Sequence, residues 1–202
     1  MLKPLYLASQ SPRRQELLRQ IGLAPAVLRL RNGSGRLDVD ETSLADEPAM
    51  DYVLRLARLK AEAGERARDG RSLANWPIVA ADTTVTLDGQ ILGKPADAEE
   101  AAAMLRGYSG RSHSVLTGVA VVFQGRLEVA LSESTVTFRA LSEEEIAAYC
   151  ASREPFDKAG GYGIQGRAAM FIEHLAGSYS GVMGLPLFEM AQLLREVGFP
   201  VI

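Results

Sequence analysis

Cations sit badly at the positive end of a helix dipole, yet Arg13 and Arg14 stand in that position. Leu5-Tyr6-Leu7-Ala8 reads as a short buried strand, and after Ser9-Gln10 the pair Ser11-Pro12 supplies an N-cap and a first helical residue. Two arginines in such a turn call for an acidic neighbour or an anionic ligand; the plainer reading is a solvated basic turn. A helix N-terminus contributes only about 0.3–1 kcal/mol toward holding an anion, whereas a hydrogen bond from a charged group contributes roughly 1.5–3 kcal/mol. The arginines would therefore carry most of the grip. Asp82 closes the apolar run Ile78-Val79-Ala80-Ala81, where a carboxylate loses hydration unless it is paired or binds metal. The end of a strand is also where open α/β sheets place ligands. A turn or cap residue ahead of Thr83-Thr84 is the plainer account of Asp82. Lys94-Pro95 sets a cation beside a rigid residue, Lys60 projects from a helical stretch, and Glu41 with Asp38 and Asp40 adds carboxylate oxygens. Singly, Lys60 and Glu41 read as surface residues. Together with a glycine loop, these groups suit a polyphosphate held with Mg²⁺ or Mn²⁺.

The elements that must position these side chains follow from pattern. Ser11 opens a helix that Gly22 ends, with Leu17, Leu18 and Ile21 as its apolar stripe. Residues 26–31 read as a second strand, Asn32-Gly33-Ser34-Gly35 as a turn, and 48–67 as a long helix with Met50, Val53, Leu54, Ala57 and Ala61 on one side. The buried strand ends at Asp82; 85–87 and 91–92 flank Asp88-Gly89, a tight-hairpin signal. Asp97 and Glu100 resemble a capping box before a helix over 98–105. Two long strands, 111–123 and 126–138, surround Gln124-Gly125. A helix over 142–151, a glycine-rich stretch over 160–166, a strand over 170–174 and a helix over 186–197 complete the order. Helices and strands interleave without repeats, which makes this an α/β fold with a mixed sheet.

Composition excludes several classes. The 202 residues are 47% apolar and 23% charged, enough for a core without disulfides or metal staples. The longest apolar run, 115–123, is broken by Thr117 and Gly118 and falls short of the roughly 20 residues of a membrane helix. The opening Met-Leu-Lys-Pro-Leu-Tyr-Leu-Ala-Ser reads as no secretory signal, and the single Cys150 suits a reducing cytoplasm, as a buried small hydrophobe. With 22 basic and 25 acidic side chains, the net charge of −3 argues against a protein that coats nucleic acid. His113 and His174 lack metal-ligand spacing and read as structural or solvated. Gly161-Tyr162-Gly163-Ile164-Gln165-Gly166 spells the dinucleotide fingerprint, but no convincing strand precedes it and no helix follows. Arg167-Ala168 stand where a P-loop needs Lys and a hydroxyl, and no G-x-S-x-G occurs.

Leu7-Ala8-Ser9-Gln10-Ser11-Pro12-Arg13-Arg14, Leu56-Ala57-Arg58-Leu59-Lys60-Ala61, Ala81-Asp82-Thr83, Gly93-Lys94-Pro95 and Tyr162-Gly163-Ile164-Gln165-Gly166 occur in that order. With Gly177-Ser178-Tyr179 and Gly184-Leu185-Pro186, they resemble the Maf family of nucleoside triphosphate pyrophosphatases over nearly the whole chain. The resemblance implies one Maf-like domain over 1–202 with an ITPase-like, elongated, twisted mixed sheet flanked by helices, its two lobes enclosing a central cleft. It implies hydrolysis between the α- and β-phosphates to monophosphate and pyrophosphate, with Mg²⁺ or Mn²⁺. Position by position, Asp82 matches the family's proton acceptor and, with Glu41, the metal side of the site. Arg13, Thr83 and Gln165 match positions tied to substrate choice; Arg14, Lys60 and Lys94 match phosphate-contacting cations, and Ser9 a phosphate-bonding serine. Gly-Ile-Gln-Gly with Ala-Asp-Thr resembles the dTTP and UTP branch, and the Gln165 amide offers the donor and acceptor that the O4 and N3–H edge of thymine or uracil needs. The alternatives are the 7-methyl-GTP branch and a nucleotide-sensing regulator of cell division without turnover. The resemblance also points to a homodimer. The stretch 28–37 differs from the family's usual approach to the acidic motif.

Overall fold

Residues 78–87 form one strand, β3 (Ile78–Leu87), which runs straight through Asp82. The expected strand end at Asp82 is therefore corrected: β-branched Thr83, Thr84, Val85 and Thr86 extend the strand, and an ion pair offsets the cost of the carboxylate within it. The computed structural model describes residues 2–31 and 38–201. The turn expected at Asn32-Gly33-Ser34-Gly35 lies outside the described residues.

The other elements are β1 (Lys3–Leu7), α1 (Pro12–Gln20), β2 (Leu23–Val27), α2 (Ala49–Gly70), β4 (Gln90–Leu92), α3 (Ala98–Tyr108), β5 (Ser112–Phe123), β6 (Arg126–Phe138), α4 (Glu143–Ala151), β7 (Ile172–Ala176), α5 (Tyr179–Val182) and α6 (Leu187–Glu196). Short 3₁₀ turns cover Glu154–Asp157, Ala159–Gly161 and Arg167–Met170. The second strand starts earlier than expected because Gly22, at φ 79°, turns the chain directly into Leu23, whose buried side chain starts the pairing with β1. No helix follows the glycine-rich stretch, only a 3₁₀ turn, so the dinucleotide fingerprint has no helix N-terminus to offer.

The sheet order is β2-β1-β3-β5-β6-β7, with β4 on the edge of β3. The first three strands run parallel, and β5, β6 and β7 continue antiparallel. Strand β1 meets β3 only at Tyr6↔Ile78 and Leu7↔Val79, and β4 meets it only from Val85 to Leu87. Between these contacts one edge of β3, from Ala80 to Thr84, carries no strand partner among the described residues. A gap in the sheet opens there, where the carboxyl end of parallel β1 leads into Ser9.

Strand parity then sorts the side chains. Val79 and Ala81 face a core built with Leu5, Leu17, Leu18, Leu185, Met190 and Leu194, under α1 and α6. Ile78 and Ala80 face the other side, with Ala57 and Ala61 of α2. Asp82 continues the second series toward α2, and Thr83 the first series toward α1. At the far end of the sheet a separate core joins Val85, Val115, Val136 and Phe138 to Leu105 and Tyr108 of α3 and Ile146, Tyr149 and Cys150 of α4. The first two cores, on opposite faces of one end of the twisted sheet, make one lobe and the third makes the other, with the gap beside β3 between them. Among the described residues, no helix is long and apolar enough to cross a membrane.

Candidate active site

A cavity of about 700 Å³ fills this gap, within the range of sites that take nucleotide-sized ligands. Ser9, Arg13, Arg14, Glu41, Lys60, Asp82, Thr83, Lys94 and Gln165 all line it, so the sequence-derived candidates converge. At the centre stands Lys60, on the face of α2 toward β3. Its Nζ lies 2.6 Å from Asp82 Oδ1 and 2.7 Å from Glu41 Oε1. The side chains of Lys60 and Asp82 are only 14% and 13% exposed, so removing either would leave the other charge with little water. Glu41 is half exposed and belongs to the loop that enters α2. Tyr52 Oη donates to its carbonyl oxygen at 3.1 Å, which ties that loop to the first turn of α2. Burial, followed by the charges of Asp82 and Glu41, raises the Tyr52 phenol, so the hydroxyl stays protonated.

The two arginines divide their work. Arg14 forms part of the cavity floor and braces it: Nε donates to Gly184 O at 2.7 Å, and Nη1 to Ala81 O at 2.8 Å and Ser9 Oγ at 3.2 Å. Nη2 reaches Thr83 Oγ1 at 3.4 Å, which leaves at most one of its N–H groups for a ligand. Ala81 O belongs to the unpartnered edge of β3, so Arg14 supplies the bond that a neighbouring strand would otherwise make. Burial lowers Arg14, and the Coulombic pull of Asp82 opposes that shift. Arg13 is freer; among the described residues its one ion pair is a long contact of 3.5 Å to Asp157, across the cleft. Ser11 caps α1 as expected, its Oγ accepting from Arg14 N. Thr83 Oγ1 sits 3.0 Å from Thr117 Oγ1 on β5, whose hydroxyl in turn donates to Gly181 O at 2.9 Å.

From the opposite lobe, Lys94 and Gln165 are exposed side chains facing the same space. Lys158 and Asp157 also line it, and the reading of the sequence missed both. They lie in an irregular segment with no periodic pattern to place them. Lys158 Nζ is held by Asp157 and by Glu154 O, the latter at 2.8 Å, and its chain crosses Gly163 so closely that a Cβ there would lie 2.7 Å from Cε.

Five cationic side chains thus face three carboxylates in one cavity. Two of those carboxylates already converge on a single cation, Lys60. Paired hard oxygens of this kind, completed by phosphate oxygens, are how Mg²⁺ is ordinarily bound. Among the described residues no cluster of three or more His, Cys, Asp or Glu side chains offers a metal a full protein cage.

Fold and cleft define a class: an α/β protein with a carboxylate and cation site at the open edge of a mixed sheet. The chain belongs to the Maf family, since the family described as Maf-like protein matches residues 4–197. It is 56% identical over 199 residues to the dTTP/UTP pyrophosphatase of Aromatoleum aromaticum, covering 98% of this chain and 97% of that one. It is 58% identical over 193 residues to the enzyme of the same name from Ralstonia nicotianae, covering 95% and 93%, and 53% identical over 198 residues to that of Nitrosomonas europaea, covering 98% and 96%.

Proposed function

We propose that this chain hydrolyses dTTP and UTP between the α- and β-phosphates, releasing the nucleoside monophosphate and pyrophosphate. The observation that carries the reading is the seating of Asp82 on Lys60 inside a cavity that also collects Arg13, Lys94 and Lys158. Similarity to enzymes named dTTP/UTP pyrophosphatase supports the pyrimidine substrate.

Asp82 is the carboxylate best placed to take a proton from an attacking water, because it lines the cavity and Lys60 fixes one of its oxygens. Arg13, Lys94 and Lys158 neutralise phosphoryl oxygens and the departing pyrophosphate, the dominant need in phosphoryl transfer. Gln165, at the lip of the glycine loop, carries an amide that pairs with the O4 and N3–H edge of the base. The charged lining sums to two positive charges, and a divalent cation raises this to four, against the roughly four negative charges of an ionised triphosphate. Glu41 and Asp82 would hold Mg²⁺ or Mn²⁺ there; bound, such an ion neutralises phosphate charge. A reducing cytoplasm, where free nucleotides occur, fits the lone buried Cys150.

Product analysis decides the matter. With Mg²⁺ or Mn²⁺ and dTTP or UTP, the expected products are monophosphate and pyrophosphate, and kcat/KM for both exceeds that for 7-methyl-GTP. Orthophosphate as the first product refutes the bond assignment. Asp82→Asn is expected to lower kcat by about 10²–10⁴-fold with an unchanged circular dichroism spectrum; unaltered turnover removes Asp82 from its role.

A further inference from the structure

Behind the glycine loop lies a buried polar pair, of which Tyr162 lines the cavity and its partner does not. His113 of β5 is 4% exposed, and its Nε2 lies 2.7 Å from the hydroxyl of Tyr162. Its Nδ1 has no hydrogen-bond partner among the described residues. Tyr108, Phe138 and Tyr162 pack around the imidazole, with the Tyr108 ring 4.2 Å away between centroids. The Tyr108 hydroxyl donates to Gly160 O at 3.0 Å. An imidazole with one nitrogen unpaired costs stability in such a place, whereas phenylalanine would fill the space without that cost. Stability alone does not account for His113.

What the pair and Tyr108 hold is the loop. Gly160 and Gly161 take left-handed φ values of 72° and 71°, and a Cβ on Gly160 would lie 2.6 Å from Val85 Cγ2. Gly160 N donates to Gly93 O at 2.8 Å, and Gly93 precedes Lys94. Tyr162 reaches the cavity with its own surface, and Lys158 and Gln165 flank it in sequence. Neither His113 nor Tyr108 lines the cavity.

We propose that His113 and Tyr108 are positioning residues: by pinning Tyr162 and Gly160 they set the place from which Lys158 and Gln165 meet the nucleotide. This rests on the pyrophosphatase reading above, with the base of the nucleotide on the Gln165 side. His113 acts through Tyr162, and Tyr108 acts through Gly160.

The experiment compares full-length wild type with Tyr162→Phe, His113→Phe and His113→Gln, the last keeping a polar partner for the hydroxyl. Hydrogen–deuterium exchange is followed over 158–166, and steady-state kinetics with UTP and CTP. Tyr162→Phe preserves the ring, so it keeps the test informative should His113→Phe fold poorly. Expected are faster exchange over 158–166, a rise of about five- to tenfold in KM for UTP, kcat within about twofold, and a matching loss of preference for UTP over CTP. His113→Gln recovers much of that preference, and the two phenylalanine substitutions combined do no more than either alone. Wild-type exchange over 158–166 with a wild-type UTP/CTP ratio in Tyr162→Phe overturns the proposal, as does simple additivity. If wild type turns over neither nucleotide, the activity reading fails, while the exchange comparison still decides whether the pair holds the loop.

Discussion

Lys60 is the residue on which the chemistry of the cleft turns. Its ammonium occupies the point where the oxygens of Asp82 and Glu41 converge, at 2.6 and 2.7 Å. Lysine carries a compact point charge, so it satisfies both carboxylates without the planar fork that arginine would impose. Lys60→Met leaves two carboxylates facing each other with no cation. We expect Mn²⁺ to bind this variant more tightly than wild type when no nucleotide is present, while turnover falls. Titration by electron paramagnetic resonance measures the first effect, and equal Mn²⁺ affinity would falsify the view that Lys60 stands at a cation position. His113 supplies a second prediction at this scale. Burial pulls it down to about 4, against about 6.5 in an unfolded chain. Its folded value is depressed, so it carries no protonation penalty above about 6.5, and the fold loses stability progressively as pH falls toward 4. The loss amounts to about 3 kcal/mol across that window. Urea unfolding at pH 7 and pH 4.5 should show His113→Phe losing less stability between the two than wild type loses.

At the scale of elements, the site depends on how closely α2 lies on the sheet. Gly118 of β5 pairs with Asp82, and a Cβ at Gly118 would lie 2.3 Å from the carbonyl oxygen of Val53 in α2. No side chain fits between helix backbone and strand there, and this approach brings Lys60 within reach of β3. Gly118→Ala is expected to cost about 1–3 kcal/mol and to lower kcat/KM as α2 lifts. Gly70→Ala, in open space at the end of the same helix, should stay within about 0.5 kcal/mol. Urea unfolding with parallel turnover assays separates the two; equal effects would refute the packing argument. Much of this architecture is legible in local pattern. Ser11-Pro12 marks the start of α1, Asp88-Gly89 the β3–β4 hairpin, and the apolar spacing of 48–67 nearly the whole of α2. Asp82 misled because a charge in an apolar run reads as a boundary, when its partner lies on an element 22 residues away in sequence. Lys158 and Tyr52 escaped notice for a related reason. An irregular segment has no period, and a tyrosine on an amphipathic helix looks like any other partly buried ring. The bracing role of Arg14 depended on the unpartnered edge of β3, and only sheet pairing reveals that edge.

The whole molecule is two lobes joined by three long strands, with the cleft as the seam. The core under α1 and α6 supplies Ser9, Arg13 and Arg14, and the core under α3 and α4 carries Lys94, Lys158 and Gln165. The ion pair across the mouth, Arg13 to Asp157, is long and partly exposed and contributes about 0–1 kcal/mol. A triphosphate that contacts both walls would replace that weak tie with several charge-assisted bonds. Stabilisation by ligand follows mass action and reaches about 2.7 kcal/mol at a free ligand concentration one hundred times Kd. For a chain of this size that is a rise in Tm of roughly 5–10 °C. A non-hydrolysable UTP analogue with Mg²⁺ should therefore raise Tm by that amount in one cooperative transition, because the lobes share β3, β5 and β6. Chelating the metal should reduce the shift, since the lining alone matches only half the ligand's charge. Uridine should give little, because it reaches Gln165 but offers nothing to the cations on the facing wall. A full shift with uridine alone would mean that the base site, and not the phosphate clamp, is what ties the two lobes together.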